Sequence, residues 1–279
     1  MSEYIIDPHV HFFNLLEGQY HWLQGDSEPQ WQNLPQIKAA TSLSALQQQC
    51  PFQLAGLVHI EAGFDNNAPI KELNWLAKHL AGFNYKAISY AKIDSTDNQF
   101  SKAITNLKHT SLMGVRDITE GNDSKRLLNQ YCHHNLSLLA AHGLLFEAQF
   151  AIENSIVTKQ IVSYCQSIPT LNLVINHMGL PSNIAAWQQN IATLARCDNV
   201  FIKYSGQELL GNTVEQQRHI FNTLIKCFGE QRVMFASNFP VCQINASYQA
   251  RWQGYLQLCH NHSQWYTLSN KNAASLYQL

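Results

Sequence analysis

The chain has 279 residues, of which 46% are hydrophobic and only 13% are charged, and its formal net charge is -1. This length allows a large buried core, and the near-neutral charge excludes the basic surface that nucleic-acid binding requires. No apolar run approaches the roughly 20 residues of a membrane span, and no secretory leader is expected. The seven cysteines are scattered and odd in number, which predicts free thiols in a cytoplasmic protein.

Short apolar segments rich in β-branched residues recur along the chain and predict eight strands. They cover residues 4–11, 54–62, 86–93, 112–118, 143–150, 171–179, 199–206 and 232–238. Between them lie stretches with helical periodicity, including residues 70–83, 126–143 and 213–229. Eight strands alternating with helices predict a (β/α)8 barrel that forms a single domain over residues 1–279. The rival is a doubly wound sheet, which would place a glycine-rich loop after its first strand; residues 9–18 form no such loop.

Polar side chains cluster at the carboxyl end of each predicted strand. They are His9 and His11, His59 and Glu61, Lys92 and Asp94, Arg116 and Asp117, Glu147 and Gln149, His177, Lys203 and Ser205, and Asn238. The carboxyl ends of barrel strands carry the active sites of enzymes with this fold. Local hydrogen bonds could satisfy one such group, but the same bias at eight strands predicts an active site that binds a small molecule.

His9 and His11 are two residues apart on the first predicted strand. Residues with this spacing point to the same face of a strand, so the two imidazoles form a natural half-site for a divalent metal. The alternative is a pair of hydrogen-bonded strand histidines without a metal.

Six segments, taken in chain order, resemble the amidohydrolase-related family of (β/α)8 hydrolases. They are DPHVHFF, GVRD, NHMGLP, FIKYSG, RVMFASNFPV and SNKNAASLYQL. The resemblance covers nearly the whole chain. HxH alone is a weak motif, but HxH, NHxGxP and SNFPV in this order are together strong. The branch that the chain resembles includes 2-pyrone-4,6-dicarboxylate lactonase and the lactonases of fucono- and rhamnono-lactones, which implies hydrolysis of a small carboxylated or sugar-derived lactone.

The resemblance also implies roles for individual residues. His9 and His11 match the first-strand pair, which binds metal in typical members, and His177 matches the sixth-strand histidine. Asn238 stands where most members have an aspartate that binds metal and acts as general base, and Glu147 stands where two-metal members have a histidine. These departures argue against a two-metal centre. They leave either one divalent ion, such as zinc, on His9, His11 and His177, or no metal.

Lactone hydrolysis needs an activated water, a polarised carbonyl group and a stabilised oxyanion. The three histidines can supply acid–base and polarising groups. Since the amide of Asn238 cannot act as a base, Glu61 and Glu147 are the candidate carboxylates. Asn238 keeps a hydrogen-bonding role toward water or the oxyanion.

Arg116 and Lys203 are predicted to bind a substrate anion, because guanidinium and ammonium groups pair with carboxylates. The alternative is a structural ion-pair network with Asp117 and Glu147. Ser205 shares a strand face with Lys203 and is predicted to donate a hydrogen bond to the substrate.

His59 shares a face with Glu61, so it is either a substrate-binding residue or a core histidine bonded to that glutamate. The connection over residues 12–35 is unusually long, which favours a lid in which Tyr20, His21 and Trp22 close over the substrate. The alternative is a loop that only packs on the barrel rim.

Two further functions stay open. One is a metal-dependent decarboxylase of an aromatic or muconate-type acid, which Asn238 disfavours because such enzymes use an aspartate there. The other is a barrel that binds a small molecule without catalysis. A homo-oligomer is also possible, since the aromatic residues of the C-terminal segment are either core or interface; they are Trp252, Tyr255, Trp265 and Tyr266.

Overall fold

The computed structural model describes residues 4–25, 28–31, 33–211 and 213–279. The strands are β1 (Tyr4–Val10), β2 (Gln53–Ile60), β3 (Tyr85–Tyr90), β4 (Leu112–Ile118), β5 (Leu145–Gln149), β6 (Leu173–Ile175), β7 (Val200–Tyr204) and β8 (Val233–Phe235). They form one sheet in the order β1 to β8, and the paired strands run parallel. Helices connect consecutive strands, so the fold is the predicted (β/α)8 barrel.

The described residues include eleven α-helices. They are α1 (His21–Gln24), α2 (Leu43–Gln49), α3 (Ile70–His79), α4 (Asp97–Asn106), α5 (Tyr131–Ala141), α6 (Ser155–Ser167), α7 (Ile184–Leu194), α8 (Val214–Phe228), α9 (Tyr248–Leu258), α10 (His262–Tyr266) and α11 (Asn272–Tyr277). Short 3-10 turns occupy several loops. The longest helix, α8, begins with a capping box between Thr213 and Gln216 and ends at Gly229, whose φ is 67°. Both are sequence signals for helix ends.

The predicted elements differ from the structure mainly at their ends. β6 and β8 have only three residues each, so His177 and Asn238 follow their strands instead of lying on them. The helix predicted over residues 126–143 begins later, at Tyr131. The preceding residues form a 3-10 segment, from which the Arg126 side chain reaches back to the carboxylate of Asp117.

Contacts along the chain define two compact units. Unit 1 consists of the described residues in the ranges 1–90, 109–112 and 234–279, and it carries β1, β2 and β3 and the end of β8. Unit 2 comprises the described residues in the ranges 91–108 and 113–233, and it carries nearly all of β4 together with β5, β6 and β7. The single-domain organisation stays a prediction.

Aromatic packing in unit 1 explains the C-terminal segment. The ring of Phe235 stacks on that of Tyr255 with centroids 4.7 Å apart, and Trp252 meets Trp265 edge to face. Tyr255, Trp252 and Trp265 are buried, whereas Tyr266 is 42% exposed. Three of the four aromatic residues that the sequence left as core or interface are therefore core.

The helices and the cysteines bear on the environment of the chain. No helix in the described ranges is long and apolar enough to cross a membrane. All seven cysteines are free thiols, as predicted.

Gly114 permits the close approach of β4 and β5 in unit 2. It pairs with Leu145, and a Cβ atom at Gly114 would lie 2.3 Å from the Leu145 carbonyl oxygen. A methyl group cannot occupy that position unless the strands move apart. The glycine is therefore required by the strand spacing.

We predict that Gly114→Ala lowers the free energy of unfolding by about 1–3 kcal/mol, the usual cost of overpacking a rigid core. Urea unfolding measures the change. Gly254→Ala is the matched control, because Gly254 lies in α9 and a Cβ atom there would meet open space. It is expected to be neutral or slightly stabilising. Equal stability of the two variants would contradict the steric argument.

Candidate active site

The end of β1 in unit 1 carries the two imidazoles side by side. The rings of His9 and His11 have centroids 5.0 Å apart, and both residues are buried. Nδ1 of His11 lies 2.9 Å from the Ile60 carbonyl oxygen, which can only accept a hydrogen bond. Nδ1 therefore carries a proton, and Nε2 is the basic nitrogen of the neutral ring.

Asn238 lies next to this basic nitrogen. Its Oδ1 is 3.3 Å from Nε2 of His11. The backbone places it there, since the Asn238 N–H donates to the His9 carbonyl and the His11 N–H donates to the Phe239 carbonyl. Asn238 has a φ of 62°, a left-handed conformation that asparagine tolerates better than most residues. A proton taken up by Nε2 would be donated to Oδ1.

The Asp7 carboxylate holds β1 against the segment that contains Asn238. Its buried carboxylate accepts hydrogen bonds from the backbone N–H groups of Ser237 and His9 and from the Tyr248 hydroxyl, at 3.0, 3.2 and 3.0 Å. Burial raises the pKa of Asp7 to about 6, although these hydrogen bonds oppose the shift. The carboxylate thereby joins β1, the chain after β8 and α9. Sequence reasoning missed Asp7, whose only signal is an acid between Ile6 and Pro8 in a buried strand.

His59 and Glu61 lie at the end of β2 in unit 1. Nε2 of His59 is 3.0 Å from the Glu72 carboxylate of α3, and its Nδ1 accepts the Phe12 N–H. His59 thus has the contacts of a core histidine, and one of its partners is Glu72, a residue that the sequence did not select. Glu61 is also buried, with 4% of its surface exposed.

The predicted lid, residues 12–35, is partly anchored within unit 1. Tyr20 is buried, and its ring contacts that of Phe13 edge to face. The indole Nε1 of Trp22 donates to the Ala62 carbonyl at 2.7 Å. Positions 26, 27 and 32 of the predicted lid lie outside the described residues. The contacts are those of a packed loop, and the role of Trp22 in substrate binding stays a prediction.

The donor set of unit 1 fits one metal ion in part. The 3.3 Å separation of His11 Nε2 and Asn238 Oδ1 is close to the edge of a tetrahedral site, about 3.4 Å for ligands about 2.1 Å from zinc. The hydrogen bond to Ile60 orients His11 as a ligand requires. Among the described residues, however, no group of three or more His, Cys, Asp or Glu side chains is placed to hold a metal. The metal stays a prediction.

His177 and Ser205 meet in unit 2. Nδ1 of His177 is 3.0 Å from the Ser205 hydroxyl oxygen. The backbone turns sharply here, because His177 has a φ of 51°. Gly206 lies against the imidazole, and a Cβ atom there would be 2.6 Å from the ring. Ser205 and Gly206 therefore orient the ring together.

A buried ion pair joins β5 and β7 in unit 2. Nζ of Lys203 lies 2.7 and 2.6 Å from the two carboxylate oxygens of Glu147, and neither side chain is exposed. This is the pairing that the sequence kept as the alternative to substrate binding and catalysis. The positive charge of Lys203 is compensated within the protein.

The two charged residues of β4, Arg116 and Asp117, also form hydrogen bonds. Nη1 of Arg116 donates to Oε1 of Gln149 at 2.9 Å, and Gln149 donates in turn to Glu120. Asp117 pairs with both terminal nitrogens of Arg126, at 2.7 Å each. Arg126 is a partner of Asp117 that the sequence gave no reason to select. Whether Arg116 binds a substrate anion stays a prediction.

Comparison with known proteins defines the class of this chain. A sequence model of the amidohydrolase family matches residues 6–279. The chain belongs to the amidohydrolase family.

Two relatives extend over nearly the full length. The uncharacterized protein y4mH of Sinorhizobium fredii is 28% identical, with 99% of this chain and 98% of the relative covered. L-rhamnono-gamma-lactonase of Scheffersomyces stipitis is 20% identical, with 93% and 92% covered.

Solved structures share the fold. An amidohydrolase from Burkholderia multivorans with bound zinc has a TM-score of 0.82 at 18% identity, with 99% of each chain covered. A candidate 2-pyrone-4,6-dicarboxylic acid hydrolase from Pseudomonas putida has a TM-score of 0.70 at 18% identity, covering 98% of this chain and 97% of the other. A 2,6-dihydroxybenzoate decarboxylase from Rhizobium has a TM-score of 0.66 at 13% identity, with 100% and 99% covered. The fold alone therefore does not choose between hydrolysis and decarboxylation.

We predict that Lys203→Met lowers the free energy of unfolding by about 3–5 kcal/mol, since it leaves the Glu147 carboxylate buried without its ammonium partner. Chemical denaturation of this variant and of the double variant Lys203→Met/Glu147→Met measures the effect. The double variant is expected to recover much of the loss, because it removes both buried charges. A single variant as stable as the natural protein would contradict the buried pair.

We predict that Gly206→Ala displaces the His177 ring and destabilises the protein more than Gly82→Ala. The control has the same backbone requirement, with a φ of 79° against 77°, but open space around its Cβ position. The difference between the two unfolding free energies isolates the contact with the imidazole, at about 1–3 kcal/mol. Equal losses would show that the backbone conformation alone accounts for Gly206.

Proposed function

We propose that this protein is a hydrolase that opens a small carboxylated or sugar-derived lactone by water attack. The hydrogen bonding of His11 is the observation that carries the proposal. Its Nδ1 proton is held by the Ile60 carbonyl, and its basic Nε2 faces the amide oxygen of Asn238. An imidazole in this setting can take a proton and keep both of its N–H groups bonded, which suits a general base.

The reaction consists of one bond formed and one broken. As Nε2 of His11 takes a proton from water, the water oxygen bonds to the lactone carbonyl carbon. The ring C–O bond then breaks, and its oxygen takes the proton held by the His11 imidazolium, which gives a hydroxy acid and restores the neutral imidazole. Asn238 accepts a hydrogen bond from the protonated imidazole in place of the aspartate usual in this family.

His177 is the proposed second acid–base group. Its contact with Ser205 restricts the imidazole to one orientation, which favours proton transfer or polarisation of the carbonyl oxygen. Glu61 stays a candidate orienting carboxylate. Glu147 is proposed to act through Lys203 and not on the substrate, because both carboxylate oxygens bind that ammonium group.

A divalent ion is the alternative to a base role for His11. His9 and His11 would hold such an ion, and Nε2 of His11 would then be a ligand and not the base, because its one lone pair cannot bind a metal and accept a proton. The ion would polarise the carbonyl group as a Lewis acid. The relative named as a lactonase supports the hydrolysis, and the solved structure with bound zinc supports the alternative with an ion.

We predict that purified protein hydrolyses at least one member of a panel of sugar lactones, pyrone dicarboxylates and muconolactones. His177→Ala is expected to lower kcat/KM by about a hundredfold to ten-thousandfold, the usual contribution of an acid–base group. A pH-indicator assay follows acid release. The control is His142→Ala, because His142 is exposed.

The control variant should keep the full rate. Absence of turnover on the whole panel, or an unchanged rate in His177→Ala, would contradict the proposal.

A further inference from the structure

Asn176 is a buried residue that the proposed reaction does not use. It follows β6 directly and stays extended, with φ −80° and ψ 150°. Its backbone N–H donates to the Ala148 carbonyl of β5 at 2.9 Å, and none of its surface is exposed. It therefore continues the strand by one residue, immediately before His177.

The strand register places Asn176 on the face of the sheet that carries the buried ion pair. Val174 of β6 pairs with Glu147 on one side and with Phe201 on the other. Side chains two residues apart share a face, so Asn176 lies on the same face as Lys203, two residues beyond Phe201. The bond between Glu147 and Lys203 across β6 confirms that this face is shared.

The carboxamide of Asn176 is unsatisfied. Within the described part of the chain, neither Nδ2 nor Oδ1 has a hydrogen-bond partner. The polar side chains on the same face bond to other residues. Lys203 binds Glu147. Gln149 binds both Arg116 and Glu120. A buried amide without partners costs stability, and a leucine of nearly the same shape would avoid that cost. Packing alone does not explain an asparagine here.

We propose that Asn176 determines substrate specificity by hydrogen-bonding a hydroxyl group of the substrate. The inference rests on the proposed lactone hydrolysis. The amide offers a donor at Nδ2 and an acceptor at Oδ1, and a hydroxyl group can match both. A carboxylate only accepts, so it would leave Oδ1 unmatched.

The neutral pair of Lys203 and Glu147 beside Asn176 agrees with a hydroxylated substrate at this position. Lys203 is neutralised by Glu147, so its ammonium group gives a substrate carboxylate little net attraction. Since Asn176 has no accessible surface, the substrate can reach it only after a neighbouring side chain shifts. Binding should therefore include a local rearrangement.

The test compares Asn176→Leu with the natural protein in two measurements. The variant should melt about 2 °C higher or more, because the unsatisfied amide is gone. Its kcat/KM for a polyhydroxylated lactone should fall about tenfold to a hundredfold, the loss expected for a missing hydrogen bond in a closed site. Its kcat/KM for an unsubstituted lactone of the same ring size should change by less than about threefold.

Asn135→Leu is the matched control. Asn135 is equally buried, but its Nδ2 donates to the Ile93 and Ser95 carbonyls at 2.8 Å each. This variant should melt lower and should affect both lactones alike. If Asn176→Leu also melts lower, or slows both lactones equally, Asn176 is a structural residue and the inference is overturned.

A further arm separates this inference from the proposed function. If the natural protein hydrolyses no lactone, the proposed function fails, and binding is then measured by thermal shift with a polyhydroxylated lactone. A shift in the natural protein that is lost in Asn176→Leu supports a hydroxyl-binding role. The absence of a shift, or the same shift in both proteins, overturns it.

Discussion

The buried ion pair between Glu147 and Lys203 constrains the chemistry of unit 2. Two charges without solvent exposure are tolerable only when they satisfy each other. Glu147 and Lys203 together form a neutral pair that spans three strands, β5 to β7. In the proposed mechanism, groups outside the pair act on the substrate, namely His177 with Ser205, and Asn176.

In unit 1 the corresponding constraint is Asp7. Its carboxylate ties the backbone of β1 to the chain after β8, and this places Asn238 within reach of His11. In the proposed mechanism Asn238 is not a base, but its Oδ1 is a hydrogen-bond acceptor beside the imidazole. The proton-accepting function can then pass to His11, whose Nδ1 proton is fixed by a backbone carbonyl.

The sequence predicted the fold because buried β-branched strands and amphipathic helices carry distinct periodicities. It also selected His9, His11 and His177 from their motifs. It did not predict Glu72 as a partner of His59 or Arg126 as a partner of Asp117. The partners of long side chains depend on tertiary packing, which no local sequence pattern encodes. The left-handed conformations of His177 and Asn238 were equally hidden, because neither residue is a glycine.

The central claim, hydrolysis through water attack on a lactone carbonyl, is tested most directly by running the reaction in water labelled with heavy oxygen. Mass spectrometry of the product from a hydroxylated lactone should show one heavy oxygen atom, located in the new carboxylate, for each ring opened. Release of carbon dioxide from an aromatic or muconate-type acid, with no label incorporated from any lactone, would contradict the claim and identify a decarboxylase on the same fold.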